Sequence, residues 1–357
     1  MKIAFYIGRF SPFHNGHLNV ALGALKKYDR LVFIIGSAKQ PRTIKNPWLF
    51  AERRSMIYDA LSHALDYEMT ESDQVRVQYV VDYPYNDTLW LKDVNQIIRE
   101  HANPHQDEAY IVGMDKDESS FYLQMFPMLK KDLTVYPNNE DGYVDSGINA
   151  TLAREIYFTN GASEDRVHFD RMLPYTTVSF LKLFEQTSPY KLLKEEFDMV
   201  AAYKRSWEVA PYPPTFVTTD AVVVQSGHVL LVKRGAAPGK GLWALPGGFV
   251  NQNESLLESA IRELLEETKL KVAKNVLKRV ASGASVFDHP GRSLRGRTIT
   301  HAFLFALDDS KELPKVKGGD DAVEAFWVPL GEIESNRHQM FEDHFSIIET
   351  MIGQIKS

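Results

Sequence analysis

Pro211, Pro213 and Pro214 stand within four residues of one another and end any helix or central strand that meets them, because each fixes its own φ and lacks a backbone donor. The chain of 357 residues is therefore divided where they stand, and its length agrees, since one hydrophobic core rarely keeps growing beyond about 250–300 residues. Two folding units are expected. Residues 1–190 form the first, 191–214 a connecting helix with a Pro-rich linker, and 215–357 the second.

In the first unit, Ile3 to Ile7 is an apolar run ending at Gly8. Leu18 to Leu25 then has helical spacing, and Leu31 to Ile35 returns to a strand-like run. This is a β-α-β opening. Strand-like runs at Val75 and Val77 to Val81 and at Ala109 to Val112 alternate with helical stretches such as Leu89 to Arg99, which predicts a doubly wound parallel-sheet α/β domain. Beyond the prolines, Phe216 to Val224 and His228 to Val232 flank Gln225-Ser226-Gly227 as a hairpin opening an α+β domain.

The chain has no cysteine, which excludes disulfides, thiolate metal ligands and thiol nucleophiles by inventory. A formal net charge of -6 gives no overall basic footprint for a nucleic-acid backbone. Arg9 interrupts the apolar start and no run reaches membrane-spanning length, so a cytoplasmic protein with neither nucleic acid nor membrane as partner is expected. A homo-oligomer stays open.

The turn Gly8-Arg9-Phe10-Ser11-Pro12-Phe13-His14-Asn15-Gly16-His17 leaves the first strand and enters a helix. Such a turn offers free N–H groups and the positive end of a helix dipole to phosphates. A glycine at 16 lets a phosphate approach the backbone, and two imidazoles three residues apart can donate to a crowded triphosphate. The string resembles the H-x-G-H signature of the nucleotidylyltransferase superfamily. With Gly36-Ser37-Ala38, Thr43 to Pro47 and Glu52-Arg53, it is similar to the archaeal-type nicotinamide mononucleotide (NMN) adenylyltransferases. The late signature of that family resembles Ile148-Asn149-Ala150-Thr151-Leu152-Ala153-Arg154, with Asn149 and Ala153 as departures.

The resemblance implies ATP binding by Gly8, Arg9, Phe10, His14, Gly16, His17, Lys45, Thr151 and Arg154, with His14, His17 and Arg154 catalytic. It implies NMN binding by Asn86 and Trp90, whose indole would stack on the pyridinium for roughly 0.5–2 kcal/mol. The implied reaction is in-line attack of the NMN phosphate on the α-phosphorus of ATP, with pyrophosphate leaving and Mg²⁺ screening the charges. A different phosphate acceptor, phosphopantetheine for instance, is the rival.

In the second unit, five residues separate Gly248 from Glu254, and seven more lead to Arg262-Glu263-Leu264, then Leu265 and Glu266-Glu267-Thr268-Lys269-Leu270. Ser255 and Glu258 have capping-box spacing, and Leu257, Ile261, Leu264 and Leu265 supply an apolar stripe, so residues 256–267 are expected to be helical. Glu263, Glu266 and Glu267 then share one face, where like charges cost stability unless a hard cation such as Mg²⁺ or Mn²⁺ is held. A solvated acidic helix face is the bland alternative. Arg262 is expected to pair with Glu254 or Glu258.

The spacing resembles the Nudix box, with Gly248, Glu254, Arg262, Glu263, Glu266 and Glu267 at its defining positions and Lys269 where the box has its late glycine. A left-handed helix end would cost a non-glycine residue about 1 kcal/mol, so a differently shaped terminus is expected there. Phe287 to Arg292 and Arg295-Gly296-Arg297 resemble a segment of ADP-ribose pyrophosphatases, which implies that Arg292, Arg295 and Arg297 meet the substrate diphosphate. Together the two resemblances match the bifunctional NMN adenylyltransferase/Nudix hydrolases, acting on ATP, NMN and ADP-ribose. The rivals for the second unit are another nucleoside diphosphate derivative and a ligand sensor without hydrolysis.

Overall fold

The computed structural model describes residues 1–66, 74–113, 124–133, 150–159 and 163–354, which form two compact units, Met1–Lys194 and Glu195–Ser357. In the first, β1 (Lys2–Gly8), β2 (Arg30–Ile35), β3 (Val75–Tyr79), β4 (Glu108–Val112) and β5 (Lys130–Asp132) make a five-stranded sheet in the order β3-β2-β1-β4-β5. Every pairing is parallel. Residues Ile3 to Ile7 are all buried because helices cover both faces of a parallel sheet, so apolar character does not alternate along the strand. The covering helices include α1 (Asn15–Lys27), α2 (Phe50–Leu65) and α3 (Asp87–His101). Strand order reverses between β1 and β4, and the crevice beyond such a reversal is where open α/β sheets bind ligands.

After α4 (Ala150–Phe158), α5 (Ser163–Met172) and α6 (Tyr175–Phe184) comes α7 (Ser188–Ser206), within which the two units divide. The boundary expected at residue 190 thus falls inside a continuous helix. Tyr190 on its first turn stacks on Phe158 with ring centroids 5.8 Å apart, which ties that turn to the first unit.

The second unit holds β6 (Thr215–Gln225), β7 (His228–Arg234), β8 (Trp243–Ala244), β9 (Gly247–Phe249), α8 (Leu256–Thr268), α9 (Lys274–Val280), β10 (Ala281–Phe287), β11 (Arg297–Ala306), β12 (Ala322–Pro329) and α10 (His344–Ile352). Its mixed seven-stranded sheet runs β10-β11-β6-β7-β12, with β8 on β7 and β9 on β6. The hairpin is closed by two residues, Ser226 at φ 47° and Gly227 at φ 72°, between the pairs Val224 with Val229 and Gln225 with His228. Two positive φ angles match the right-handed twist of the flanking strands. Among the described residues no helix is long and apolar enough to cross a membrane.

Two candidate active sites

At the end of β1, His14 caps α1 and each histidine secures the other. The His17 backbone N–H donates to His14 Nδ1 at 3.3 Å, and the His14 N–H donates to His17 Nδ1 at 3.3 Å. The rings stack with centroids 3.5 Å apart. Since both Nδ1 atoms accept, the protons of the neutral rings sit on Nε2, and each ring becomes an N–H donor. Gly16 favours this arrangement, because a Cβ there would lie 3.1 Å from the His14 ring and press on it. The glycine makes room for the imidazole, a role that sequence reasoning did not see beside the approach of a phosphate.

Phe10 has a packing role on the same turn. It adopts φ 50° and turns its ring into the core, only 2% exposed and edge-on to His17 at 4.9 Å, so its side chain underlies the histidine and does not face a ligand. Gly8 ends β1, and its carbonyl accepts the Gly36 N–H at 3.0 Å.

Two buried guanidiniums flank this turn. Arg154 donates to the Ser11 carbonyl at 2.6 Å and to the Thr151 hydroxyl at 3.2 Å. Burial, and then the neighbouring charge of the exposed Arg9, push its pKa down to about 10. Arg53, fully buried, donates to the carbonyls of Arg9 and Gly36 at 2.8 Å each and of Ser37 at 3.0 Å, clamping the β1 and β2 exits together. Burial lowers it to about 10 as well. Its structural part was hidden in Glu52-Arg53, where only the helix it lies on could have drawn attention to it. Lys45 is exposed on a turn closed by Thr43 and Asn46. Ile148 and Asn149 lie outside the described residues.

Asn86 is the N-cap of α3, its Oδ1 accepting the Leu89 N–H at 3.2 Å. Trp90 is partly buried against the sheet core and 5.9 Å from the Phe126 ring. Both therefore have structural work in α3 beyond any contact with a nicotinamide.

In the second unit the capping box between Ser255 and Glu258 is formed and α8 runs as expected. Arg262 organises its acidic face. It grips Glu254 through Nε at 2.9 Å and Nη2 at 2.6 Å, and its Nη1 lies 2.9 Å from Glu263 and 3.0 Å from Glu266. The grip pulls Glu254 down to about 2. Glu258 instead pairs with Lys278 at 3.0 Å. Gly248 lets the Glu263 carboxylate approach closely, because a Cβ would lie 2.4 Å from it and displace it.

The three box carboxylates differ. Glu267 is buried and accepts the Gly247 N–H at 3.0 Å, yet burial pushes its pKa up to about 8. Burial raises Glu263 as well. Oxygens of Glu263, Glu266 and Asp320 lie within 4.8 Å of one another, a spacing that suits one hard cation. Asp320 was missed by sequence reasoning. It follows Gly318-Gly319 on a loop docked to the end of α8, where the Lys317 N–H donates to Thr268 O at 2.9 Å and the Gly319 N–H to Glu267 O at 3.0 Å. The helix ends with Lys269 itself left-handed at φ 50°, so the box terminus keeps its shape without glycine, contrary to expectation.

A cavity of about 330 Å³ opens beside these groups, lined by Glu263, Glu267, Asp320, Arg234, Arg295 and Phe249 among others. Of the three arginines expected at a diphosphate, Arg295 lines it, and Arg292 and Arg295 both line a smaller adjoining recess of about 40 Å³. Arg292 is held bidentate there by Asp343 at 2.9 Å, both side chains at most 4% exposed. Arg297 bonds the Asp288 carbonyl and approaches its carboxylate at 3.5 Å.

Residues 5–130 match the Cytidylyltransferase-like family model and residues 214–351 the NUDIX domain model. A nicotinamide/nicotinic acid mononucleotide adenylyltransferase from Acinetobacter baylyi is 32% identical over 54% of this chain and 91% of its own length. An ADP-ribose pyrophosphatase from Methanocaldococcus jannaschii is 35% identical over 37% of the chain and 70% of its own length. The structure of a bifunctional NMN adenylyltransferase/ADP ribose pyrophosphatase from Francisella tularensis, complexed with AMP and a Mn ion, is 35% identical, covers 99% of both chains and superposes with a TM-score of 0.87.

Proposed function

The chain belongs to the bifunctional NMN adenylyltransferase/ADP-ribose pyrophosphatase family, and we propose that His14, His17 and Arg154 serve its adenylyl transfer while Glu263, Glu266, Glu267 and Asp320 serve its diphosphate hydrolysis. The first activity joins NMN to the AMP moiety of ATP, giving NAD and pyrophosphate. The second cleaves ADP-ribose to AMP and ribose 5-phosphate. A cytoplasmic location belongs to the same proposal, because ATP and NMN are its substrates.

The observation that carries the first assignment is the reciprocal capping of His14 and His17, which holds both rings as Nε2–H donors on the turn whose Ser11 carbonyl binds the Arg154 guanidinium. Donors fixed before the substrate arrives cost no reorganisation as charge develops on the α-phosphate. Arg9, Lys45 and Arg154 offset repulsion between two polyanions. The attacking NMN phosphate is already ionised, so no general base is required. Mg²⁺ here would arrive on the phosphates of ATP.

The second assignment rests on the three oxygens within 4.8 Å, a donor set fitting Mg²⁺ or Mn²⁺. When bound, such a cation would neutralise diphosphate charge and make a bound water more acidic than bulk water. Arg262 keeps the box loop on α8 and holds Glu263 and Glu266 through its Nη1. Glu267, poised at about 8, is the carboxylate of the set able to take up a proton near neutral pH. Incubating the full chain with ATP, NMN and Mg²⁺, and separately with ADP-ribose and Mg²⁺ or Mn²⁺, tests both halves. Absence of NAD in the first incubation, or intact ADP-ribose in the second beside rapid cleavage of another dinucleotide, would refute the respective substrate.

A further inference from the structure

In sequence α7 is a connecting helix, yet from residue 195 onward it belongs to the second unit, and there it carries a buried carboxyl group. Glu196 is 8% exposed, and its Oε2 accepts the Gly239 N–H at 2.9 Å. A helix that only linked two bodies would place an apolar residue or a solvated charge here, because a buried carboxyl group is costly unless it is hydrogen-bonded. What Glu196 holds is therefore informative.

Gly239 is the tip of the loop between β7 and β8, at φ 74°, and it rests so close to the Phe341 ring that a Cβ would collide with it. Gly235, Ala236 and Ala237 of the same loop line the 330 Å³ cavity. Backbone bonds fix the base of the loop, since the Arg234 N–H donates to Leu242 O at 2.9 Å, the Gly241 N–H to Arg234 O at 2.8 Å and the Gly235 N–H to Asp321 O at 2.9 Å. The tip has Glu196. Further along, Tyr203 on α7 and Trp207 just beyond it pack on the Phe216 ring at 5.7 and 5.3 Å, and Phe216 meets Phe249, another residue lining the cavity, at 5.8 Å. Two stretches of the cavity wall are thus fastened to one helix.

We infer that Glu196 is a positioning residue of the hydrolase, the anchor through which the connecting helix sets the loop 235–241 that walls the cavity. The inference rests on the hydrolase reading of the second unit. A carboxylate makes a stronger acceptor for an N–H than a neutral oxygen, and a buried N–H left without an acceptor is expensive, so losing the anchor frees the tip. The cavity-lining residues of the loop carry no ionisable side chain, and the Glu263–Glu266–Asp320 cluster lies elsewhere, so the effect falls on substrate binding and not on the chemical step.

The test compares the full chain with its Glu196→Leu, Glu196→Gln and Gly239→Ala variants in steady-state hydrolysis of ADP-ribose and NADH with Mg²⁺, and in amide hydrogen exchange of the segment 235–242. Glu196→Leu keeps bulk in a buried place but removes the acceptor. It should raise KM about tenfold with kcat within threefold of the parent, and speed exchange of the segment about tenfold. Glu196→Gln, which restores an oxygen acceptor, should recover most of both effects. Gly239→Ala pushes the tip off Phe341 with Glu196 intact and should raise KM likewise, which decides the matter if the leucine variant does not fold. An active parent whose Glu196→Leu and Gly239→Ala variants stay within twofold in KM overturns the role of Glu196, as does a loss confined to kcat or one that glutamine does not relieve. A parent that cleaves neither diphosphate overturns instead the hydrolase reading beneath it.

Discussion

The two sites carry opposite unpaid charge. Around His14 and His17 the protein buries Arg53 on carbonyl oxygens and Arg154 on a carbonyl and the Thr151 hydroxyl, with no described carboxylate at ion-pair distance. Both guanidiniums are pushed down to about 10 as a result. On α8 the imbalance is reversed, since Arg262 answers for Glu254, Glu263 and Glu266 together while Glu267 is raised to about 8. A buried charge without its counter-ion costs free energy that a ligand of opposite sign recovers. The charge balance of the first site thus favours an anionic ligand, and that of the second a cation.

The sharpest way to break this contrast is to neutralise one carboxylate. Glu266→Gln keeps shape and an oxygen but removes charge, and should cut metal-dependent ADP-ribose hydrolysis by about 10³-fold, ~4 kcal/mol, with NAD synthesis unchanged. Product assays on the same preparation decide it, and equal losses in both activities would mean that the protein had simply misfolded. The converse change comes next. His17→Ala removes an Nε2–H donor and one half of the reciprocal cap, and should lower NAD formation about 10²–10³-fold while sparing hydrolysis. NAD formation within a few-fold of the parent contradicts the assigned role.

What the sequence made legible follows the distance over which each feature is built. Glu254, Arg262, Glu263 and Glu266 are joined by one helix and the loop that enters it, so linear spacing carries their geometry. Asp320 and Arg234 meet that cluster only because β12 pairs with β7 antiparallel, setting Ala322 opposite Arg234, and no local pattern encodes such a register. The His14 and His17 pair was readable, but the reasons for Gly16 and Phe10 were not, because both depend on where an imidazole packs. Arg292 shows the converse, a partner that the sequence did not reveal. A loop of Gly, Pro and Arg reads equally well as a phosphate site, and only the buried Asp343, 51 positions later, claims the side chain.

A subtler probe of the acidic site is the pH dependence of stability in metal-free protein. Glu267 has its folded pKa raised from 4.5 to about 8, so its protonated form is the one the fold favours. Its contribution is fully present below the unfolded value of 4.5 and is lost as pH rises through about 8. Glu267→Gln should therefore match the parent near pH 4.5 and exceed it at pH 9, by on the order of 2 kcal/mol, read as a higher Tm. Added Mg²⁺ should narrow the gap by stabilising the ionised parent. Identical Tm curves from pH 4.5 to 9 would show that this carboxylate is not strained by burial.

The smallest expected effect concerns Lys269, which holds a left-handed helix end where the Nudix box has glycine. At φ 50° a residue with a Cβ pays about 1 kcal/mol relative to glycine, so Lys269→Gly relieves strain in the folded chain. Two terms oppose that gain. Glycine widens the unfolded ensemble, and the lysine stem packs over Gly319, where a Cβ would meet Lys269 Cε at 2.3 Å. The net change should be a stabilisation below about 1 kcal/mol, visible as a Tm shift of a few degrees at most. Hydrolysis should hold steady, because the Lys269 N–H to Leu265 O bond at 3.1 Å and the docking of Gly319 on Glu267 O are backbone contacts that glycine preserves. A large loss of hydrolysis with Tm retained would instead mean that the lysine stem positions the Gly318-Gly319-Asp320 loop, and with it the third carboxylate of the cation cluster.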